Sequence, residues 1–537
     1  MDKTQAASSG AGRREGPEET GRRLVRHGST LSLLTLVSRV LGLVREMTKA
    51  SLLGTSALSD AFSVAFMIPN LFRRLFAEGS IAVAFIPTFK EYLLEDNRER
   101  IREFLSSMLT FLSFFVSLAV IAGILLTPLI VPFFGMEEPD ETILLTRIMF
   151  PFLAFISLAA LFQGILNSVR VFAPSGLGPI LLNLVTILCA WGLSPYTRNP
   201  ARAMAAGILA GGFLEAAIQL PFVVKKGYSF FFTGILRAIR HPGTGKVLRL
   251  VGPTIIGMAA YQLNDLVSTA LAGNAGAGVV SSLQYSLRLQ ELILGVFAVS
   301  IGTVLLPDLA EYAKSARWDL YNERLVSAMN IIALITVPIT FFSLAQGDGL
   351  IRLLFQGRSF DETSVRLTLS AFNCHMPGLF FIALNRILAP AFYAQSDSAS
   401  PTLAGIISFA VNIVLAAALV APLRGSGIAL ALTLASAVNT ALLLAFLRRN
   451  PAIALGRALR SAVLYTLKLA LFSGLAILPL YRLSPALRAL FSGRGRIISQ
   501  GVPLGMSALT CAAIGIALLL VTGDRQAKGV LRALIKK

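Results

Sequence analysis

Charged side chains inside long apolar stretches are the part of this sequence that could do chemistry. Apolar runs contain Arg39, Arg45, Arg73 and Arg288. An arginine at the centre of a membrane-spanning helix costs about 2.5–3.5 kcal/mol, so four that faced lipid would cost on the order of 10–14 kcal/mol. We therefore expect these side chains to face a hydrated cavity. Because the planar paired donors of guanidinium match phosphate oxygens, the sequence predicts a site for an anionic, phosphate-bearing molecule at membrane depth.

Helical spacing decides which of these cations can share the cavity. Arg39 and Arg45 are six residues apart, within an arc of about 120° on one helix, so both can face one cavity. Arg74 and Glu78 are at i and i+4 and could pair with each other. This favours Arg73 as the free cation of the second apolar run.

Other polar residues near these arginines have two interpretations each. Arg288 and Glu291 are one turn apart, so they either add a cation to the cavity or form an internal salt bridge. Asp60 near the start of the second run could cap its helix or act as a gate. Asn70 follows Pro69, which should weaken the helix locally, and it is a second polar candidate for gating or structure.

Isolated charges elsewhere carry weaker predictions. Asp265 and Asp397 are carboxylates in or beside the second half of the chain, and they could bind a coupling cation or simply hydrogen-bond to neighbouring helices. Single charges near helix ends or within runs are expected to snorkel or to pair structurally: Arg147, Glu215, Arg386 and Lys468.

Composition places these residues in a polytopic membrane protein. The chain of 537 residues is 55% hydrophobic and 14% charged, with a mean hydropathy of +0.72. A soluble domain has about 25% charged residues. The formal net charge of +20 would suggest nucleic acid in a soluble protein, but here many basic residues lie between apolar runs, where they orient helices. Three scattered cysteines and three scattered histidines exclude a disulfide framework and the usual zinc motifs.

Apolar runs long enough to cross a bilayer predict an all-α protein with fourteen transmembrane helices. We place them near 30–54, 60–90, 103–128, 143–170, 176–194, 203–224, 247–272, 279–312, 322–345, 363–394, 400–421, 426–447, 461–482 and 498–521. The distribution of Lys and Arg predicts that both termini are cytoplasmic. Four arginines on the predicted outside oppose this orientation, namely Arg482, Arg488, Arg494 and Arg496.

An internal repeat divides the chain into two similar units. Residues 86–92 (IPTFKEY) recur 220 positions later as 306–312 (LPDLAEY), and Pro151 is echoed by Pro377. Helices 1–6 and 7–12 are thus predicted to form two six-helix lobes related by a pseudo-two-fold axis along the membrane normal, with two additional C-terminal helices. The predicted divisions are a disordered cytoplasmic tail at 1–28, lobes at 29–226 and 227–450, helices 13 and 14 at 451–522, and a basic cytoplasmic tail at 523–537.

At these residues the chain resembles a known family. The segments 38–42 (SRVLG) with Arg45, 59–62 (SDAF) and 68–79 (IPNLFRRLFAEG) are similar to the MurJ (MviN) family of bacterial lipid II flippases. The similarity extends through 302–307 (GTVLLP) and 388–393 (LAPAFY). It implies the fold of the multidrug/oligosaccharidyl-lipid/polysaccharide exporters. It also implies transport of the undecaprenyl-diphosphate-linked peptidoglycan precursor from the inner to the outer leaflet of the bacterial cytoplasmic membrane.

The resemblance also implies roles for particular residues. Important cavity cations of the family correspond to the four arginines named first, and an acidic family position corresponds to Asp60. In related proteins helices 13 and 14 form a groove for the prenyl chain. Some relatives bind sodium between helices 7 and 11, where Asp265 and Asp397 resemble part of the site and Phe409 and Ile413 occupy places where further ligands would be needed.

A transporter of this kind has membrane lipids and the lipid-linked precursor as partners, functional coupling to enzymes of cell-wall synthesis, and no nucleic acid. It needs no catalytic residue, and the membrane potential can serve as its driving force. Two alternatives remain open on the residues alone. One is an exporter of another lipid-linked glycan or of an amphipathic drug. The other is a membrane enzyme acting on polyprenyl phosphates, which the scattered histidines disfavour.

Overall fold

The computed structural model describes residues 17–74, 84–453, 455–524, 526 and 528, with side chains described except at 17–32, 253–261, 295–304, 455, 457 and 458. The described residues form helices and contain no strand. The α-helices are α1 (Pro17–Leu53), α2 (Ala57–Arg73), α3 (Ile86–Leu94), α4 (Arg98–Ile130), α5 (Pro139–Met149), α6 (Phe152–Ser168), α7 (Ala173–Gly192), α8 (Pro200–Lys225), α9 (Ile235–Arg240), α10 (Pro242–Gly273), α11 (Val279–Lys314), α12 (Trp318–Phe355), α13 (Glu362–His375), α14 (Gly378–Tyr393), α15 (Ala399–Leu423), α16 (Gly425–Leu447), α17 (Leu455–Ile477), α18 (Leu480–Leu490) and α19 (Val502–Val521).

The first lobe contains α1 to α8. Its first helix begins at Pro17, within the segment predicted to be a disordered tail, because good helix formers between there and residue 29 extend the helix backwards. Residues 1–16 lie outside the described part of the chain. The turn from α1 to α2 uses Gly54 with a positive φ of +59°, and a Cβ there would overlap the Ser359 carbonyl of the other lobe. This turn therefore requires glycine.

The second lobe contains α10 to α16 and repeats the order of the first. The predicted tenth helix is broken into α13 and α14, which meet at an angle of 45° beside Pro377. In the first lobe a short interruption beside Pro151 separates α5 from α6, but the two together count as one span, Pro139–Ser168, without such a bend. The two prolines that were matched in the sequence repeat thus occupy the same structural place, because a proline cannot continue the backbone hydrogen bonds of the preceding helix.

Helices α17 to α19 pack on the outside of the second lobe, chiefly against α12. The predicted span 461–482 ends earlier, since α17 stops at Ile477 and Pro479 precedes α18. Within this group Lys468 donates to Asp524 at 2.8 Å, which confirms structural pairing for that lysine. Asp348 of α12 holds Arg488 of α18 at 3.1 Å.

Nine helical segments of the described residues are long and apolar enough to cross a membrane, or ten if α13 and α14 count as one bent span. The number fourteen stays a prediction. Helices α1, α2, α10 and α11 are not among the nine. These four helices supply most of the polar lining of the cavity described next.

Candidate functional site

A cavity of about 340 Å³ lies between the two lobes. Its walls come from α1, α2 and α8 of the first lobe and from α10, α11, α13 and α16 of the second. Four cations and three carboxylates line it: Arg45, Lys49, Arg74, Arg288, Glu46, Asp265 and Glu291. A positively charged chamber between lobes is the arrangement that the sequence predicted.

Arg45 faces the cavity from α1. Its Nη2 lies 2.9 Å from Oε1 of Glu46, and its guanidinium lies 5.6 Å from the ring centroid of Phe66. The Arg45 side chain is 18% exposed. A carboxylate on one side and an aromatic face on the other hold the guanidinium in place while it remains accessible from the cavity.

Arg288 reaches the same cavity from α11 and lies against α1. A Cβ at Gly42 would be only 2.5 Å from Nη2 of Arg288, so the glycine makes room for the guanidinium. Nη1 lies 3.3 Å from Oε2 of Glu291, which is the internal salt bridge considered above. Glu291 is 61% exposed, and Nε of Arg288 is buried without a hydrogen-bond partner among the described residues. Arg288 therefore pairs with Glu291 and lines the cavity at the same time. Because its side chain is 30% exposed, the accessible part of the guanidinium can still donate to an anion.

Lys49 joins the two lobes at the closed end of the cavity and is only 3% exposed. Its Nζ donates to Oγ of Ser63 at 2.5 Å and to Oε1 of Gln284 at 3.1 Å, and it lies 5.0 Å from the Tyr285 ring centroid. These contacts link α1 and α2 of the first lobe to α11 of the second. The sequence analysis did not single out this lysine.

The second helix presents Arg74 to the cavity rather than Arg73. Nε of Arg73 donates to Oδ1 of Asn70 at 2.7 Å, whereas Arg74 lines the cavity and lies 3.5 Å from Oε1 of Gln262. Successive residues of a helix are 100° apart, so only one of the two can follow the cavity stripe that runs through Ser63 and Asn70. The preference for Arg73 was wrong in this respect. Its argument rested on Glu78, which lies outside the described residues.

Arg39 is exposed and is not part of the cavity lining. Six residues separate it from Arg45, about 9 Å along the helix axis toward the start of α1. The structure thus brings two of the four predicted arginines, Arg45 and Arg288, into one cavity.

Asp60 neither caps its own helix nor faces the cavity. Ser56 caps α2, and the Asp60 carboxylate accepts from the backbone N–H groups of Gly278 and Ser281, both at 2.8 Å. Asp60 is 3% exposed. A carboxylate of the first lobe therefore caps the first turn of α11 in the second lobe, where the helix dipole favours negative charge. The interpretation of Asp60 as the cap of its own helix is therefore wrong, because Ser56 has that place, and its role as a gate stays a prediction.

Further hydrogen bonds close the same end of the cavity. The Tyr285 hydroxyl donates to the Gly54 carbonyl at 3.1 Å, and the Thr55 hydroxyl donates to Oγ of Ser364 at 2.8 Å. Each bond joins the turn after α1 to the second lobe. The lobes are thus fastened together at the end where α1 finishes, and any opening there must break these bonds.

The two acidic candidates for a cation site are not brought together. Asp265 lines the cavity between the lobes, whereas Asp397 lies in a separate cavity before α15 and accepts from the backbone N–H of Ser400 at 3.0 Å. Hydrogen bonds from Ser400 hold the pKa of Asp397 below its usual value. Asp265 and Asp397 therefore do not line one common cavity, and a cation site stays a prediction. Among the described residues no group of three His, Cys, Asp or Glu side chains could hold a metal ion.

Several polar residues of the site could have been found from spacing alone. Ser63, Asn70 and Arg74 recur at steps of seven and four, and Arg45 and Lys49 at a step of four, as one helix face requires. Contacts between helices distant in sequence leave no such signal. An example is Asn412, whose amide donates to Oδ1 of Asn264 at 2.7 Å across α15 and α10.

Comparisons with known proteins agree with this architecture. A family model described as lipid II flippase MurJ matches residues 49–491. Over 517 residues the chain is 45% identical to the probable lipid II flippase MurJ of Treponema pallidum, covering 95% of this chain and 98% of that protein. It is 34% identical over 385 residues to the lipid II flippase MurJ of Burkholderia cenocepacia, covering 70% and 74% of the two chains.

Solved structures show the same fold. A lipid II flippase MurJ in an inward closed conformation superposes with a TM-score of 0.74 at 24% identity, covering 94% of this chain and 99% of that one. An inward-facing multidrug resistance MATE family transporter of the MOP superfamily superposes with a TM-score of 0.65 at 13% identity, covering 78% and 96%.

Proposed function

The chain belongs to the lipid II flippase MurJ family, and from this membership and the charged cavity we propose that it moves lipid II between the leaflets of a bacterial membrane. The observation that supports this most directly is the pair Arg45 and Arg288, supplied by opposite lobes to one cavity. Guanidinium groups in this position suit the diphosphate of a polyprenyl-linked precursor, because each can offer two parallel donors to phosphate oxygens.

The mechanism that fits this geometry is alternating access without a covalent step. The end of the cavity that Asp60 and Tyr285 close faces outward in our proposal, so the diphosphate enters from the cytoplasmic side. Arg39, nearer the start of α1, meets the headgroup first, and Arg45 and Arg288 then hold it. The lobes rock, the contacts of Asp60 with α11 break, and the headgroup leaves on the outer side while the prenyl tail stays in lipid.

This direction requires that both termini are cytoplasmic, as the distribution of basic residues predicts. It also requires that the membrane is the inner membrane, as the resemblance to the family implies. Helices α17 and α19 would carry the prenyl chain, since their outer faces expose large apolar side chains, among them Leu467, Leu471 and Leu509. We further propose that enzymes of cell-wall synthesis supply and consume the cargo.

The membrane potential is our proposed driving force. With a negative interior it favours outward movement of an anionic headgroup by about 2.3 kcal/mol per charge per 100 mV. Proteoliposomes with an imposed potassium diffusion potential should flip lipid II faster than those without one, in sodium and in choline buffer alike. Acceleration by sodium at zero potential would contradict this proposal.

The central test is to replace Arg39, Arg45, Arg73 and Arg288 by Ala one at a time and to measure lipid II at the outer leaflet. The loss of lipid II flipping is expected to be greatest for Arg45→Ala and Arg288→Ala, because these two arginines line the cavity. Arg202→Ala is the matched control, because Arg202 pairs with Glu141 at 2.6 Å and is not part of the cavity lining. Unchanged flipping in all four variants would end the diphosphate proposal.

A further inference from the structure

The connection between the lobes has an unusual combination of exposed apolar and basic side chains. Residues 226–241 join α8 to α10 and include the short helix α9. Their exposed large side chains are Phe231 at 44%, Phe232 at 70%, Leu236 at 67% and Ile239 at 39%. We call this set the linker patch. Side chains of this size would be buried if the segment simply lay in water.

Basic residues accompany the linker patch and have no acidic neighbours in sequence. From Lys225 to Arg249 there are six Lys and Arg and no Asp or Glu. Arg237 and Arg240 are exposed and make no ion pair with the described residues. Lys246, at the start of α10, pairs with Glu91 at 2.5 Å, so the uncompensated charge is that of Arg237 and Arg240 in the linker itself. An apolar surface with such cations is typical of an element lying on an anionic bilayer surface.

Hydrogen bonds to α4 fix the depth of the linker. The backbone N–H of Phe231 donates to Oγ of Ser106 at 3.1 Å, and that of Thr233 donates to Oγ1 of Thr110 at 2.9 Å. The charged start of α4 ends at Glu103, after which the helix has no charged residue. Ser106 and Thr110 are therefore about 4 and 10 Å beyond the last charge. Amphipathic elements insert to about 5–10 Å at the boundary of headgroups and acyl chains. The positions of Ser106 and Thr110 therefore place the linker at the depth expected of such an element.

From these observations we infer that the linker patch is a membrane anchor that binds anionic phospholipid headgroups with its arginines and inserts its aromatic and aliphatic side chains at the leaflet surface. Arg102 of α4 stacks 4.8 Å from the Phe231 ring centroid and holds that ring in place. The anchor is fastened to the first lobe. It consequently ties that lobe, rather than the second, to the surface of one leaflet.

The depth of the linker tests this inference directly. Gly234→Cys introduces a labelling site without disturbing the patch, since a Cβ at Gly234 meets no atom within 4 Å. Full-length protein with its three native cysteines replaced by Ala is labelled there with a nitroxide and reconstituted into phosphatidylcholine with or without phosphatidylglycerol. We expect strong collision with oxygen and protection from a water-soluble nickel chelate. Glu323→Cys, an exposed position at the start of α12 without such a patch, should show the reverse.

Two variants separate the chemical contributions. Arg237→Gln with Arg240→Gln should lower the bound-to-free ratio of the linker in phosphatidylglycerol bilayers by about 30-fold, and should reduce the difference between the two lipid compositions by the same factor. Phe232→Ser with Leu236→Ser should expose the label to the nickel chelate in both lipid compositions. Equal nickel accessibility at residues 234 and 323 in both bilayers would overturn the anchor. An undiminished dependence on phosphatidylglycerol after loss of both arginines would overturn the headgroup assignment. Neither result depends on lipid II, so the inference and the proposed function can fail separately.

Discussion

The contact of Asp60 with the start of α11 should control how often the cavity opens at the end that we propose to face outward. Its two oxygens each accept one backbone N–H at 2.8 Å, from Gly278 and Ser281. Asp60→Asn removes the charge and one acceptor, so the closed arrangement loses at least one charge-assisted hydrogen bond, worth about 1.5–3 kcal/mol. Because each 1.4 kcal/mol is a factor of ten, the ratio of open to closed molecules should rise about 10- to 150-fold.

Cysteine accessibility measures this ratio. Ala272 lines the cavity and is 1% exposed, so Ala272→Cys in a chain without native cysteines reports opening through modification by a membrane-impermeant maleimide applied from the outer side. Asp397→Asn is the matched control, because that carboxylate also accepts a backbone N–H at a helix start but lies within one lobe. The role of Asp60 in holding the lobes together would be refuted by either of two results. One is maleimide modification of residue 272 at the same rate with and without Asp60→Asn. The other is an equal increase in that rate with Asp397→Asn.

Two other predictions follow from close contacts. Gly42→Ala places a methyl group 2.5 Å from Nη2 of Arg288 and should reduce lipid II flipping about tenfold by displacing the guanidinium, whereas Gly405→Ala, with no atom within 4 Å, should leave the rate unchanged. Lys468→Met removes the ammonium that donates to Asp524 at 2.8 Å, so the Asp524 side chain, which is 5% exposed and also accepts from the Tyr465 hydroxyl, loses a charge-assisted hydrogen bond worth about 1.5–3 kcal/mol of stability. Thermal unfolding in detergent should show that the double variant Lys468→Met with Asp524→Asn recovers most of the stability lost in Lys468→Met. A double variant as unstable as Lys468→Met alone would contradict the pairing of these two side chains.

Much of the architecture was predictable because the signals are local. Apolar runs of membrane length anticipated most of the helices, whereas the bend beside Pro377 was not predicted, because the apolar run 363–394 was interpreted as one helix. The site was predicted less completely. The step between α17 and α18 was missed because the apolar run is continuous across it, so only Pro479 indicated a break.

The role of Asp60 was foreseen only as alternatives, because its partners are more than 200 residues away in sequence. Arg74 was passed over because a plausible partner at i+4 seemed to occupy it. Lys49 was not singled out because its position one turn after Arg45 gives no indication that it will contact α11. For Asp60 and Lys49 the decisive contact is between helices, which spacing along one helix does not encode, whereas the step of four from Asn70 does place Arg74 on the cavity face.

The two lobes are attached to their surroundings in different ways. Helices α17 to α19 pack chiefly against α12 and so travel with the second lobe, while the connection after α8 is pinned to α4 of the first. In the proposed rocking motion, α17 to α19 would move through the hydrocarbon with the second lobe, while the first lobe would be held by the proposed anchor. The viscosity of the bilayer would oppose this movement. Flipping of lipid II should therefore be slower in more viscous membranes, even where the cargo is bound equally well.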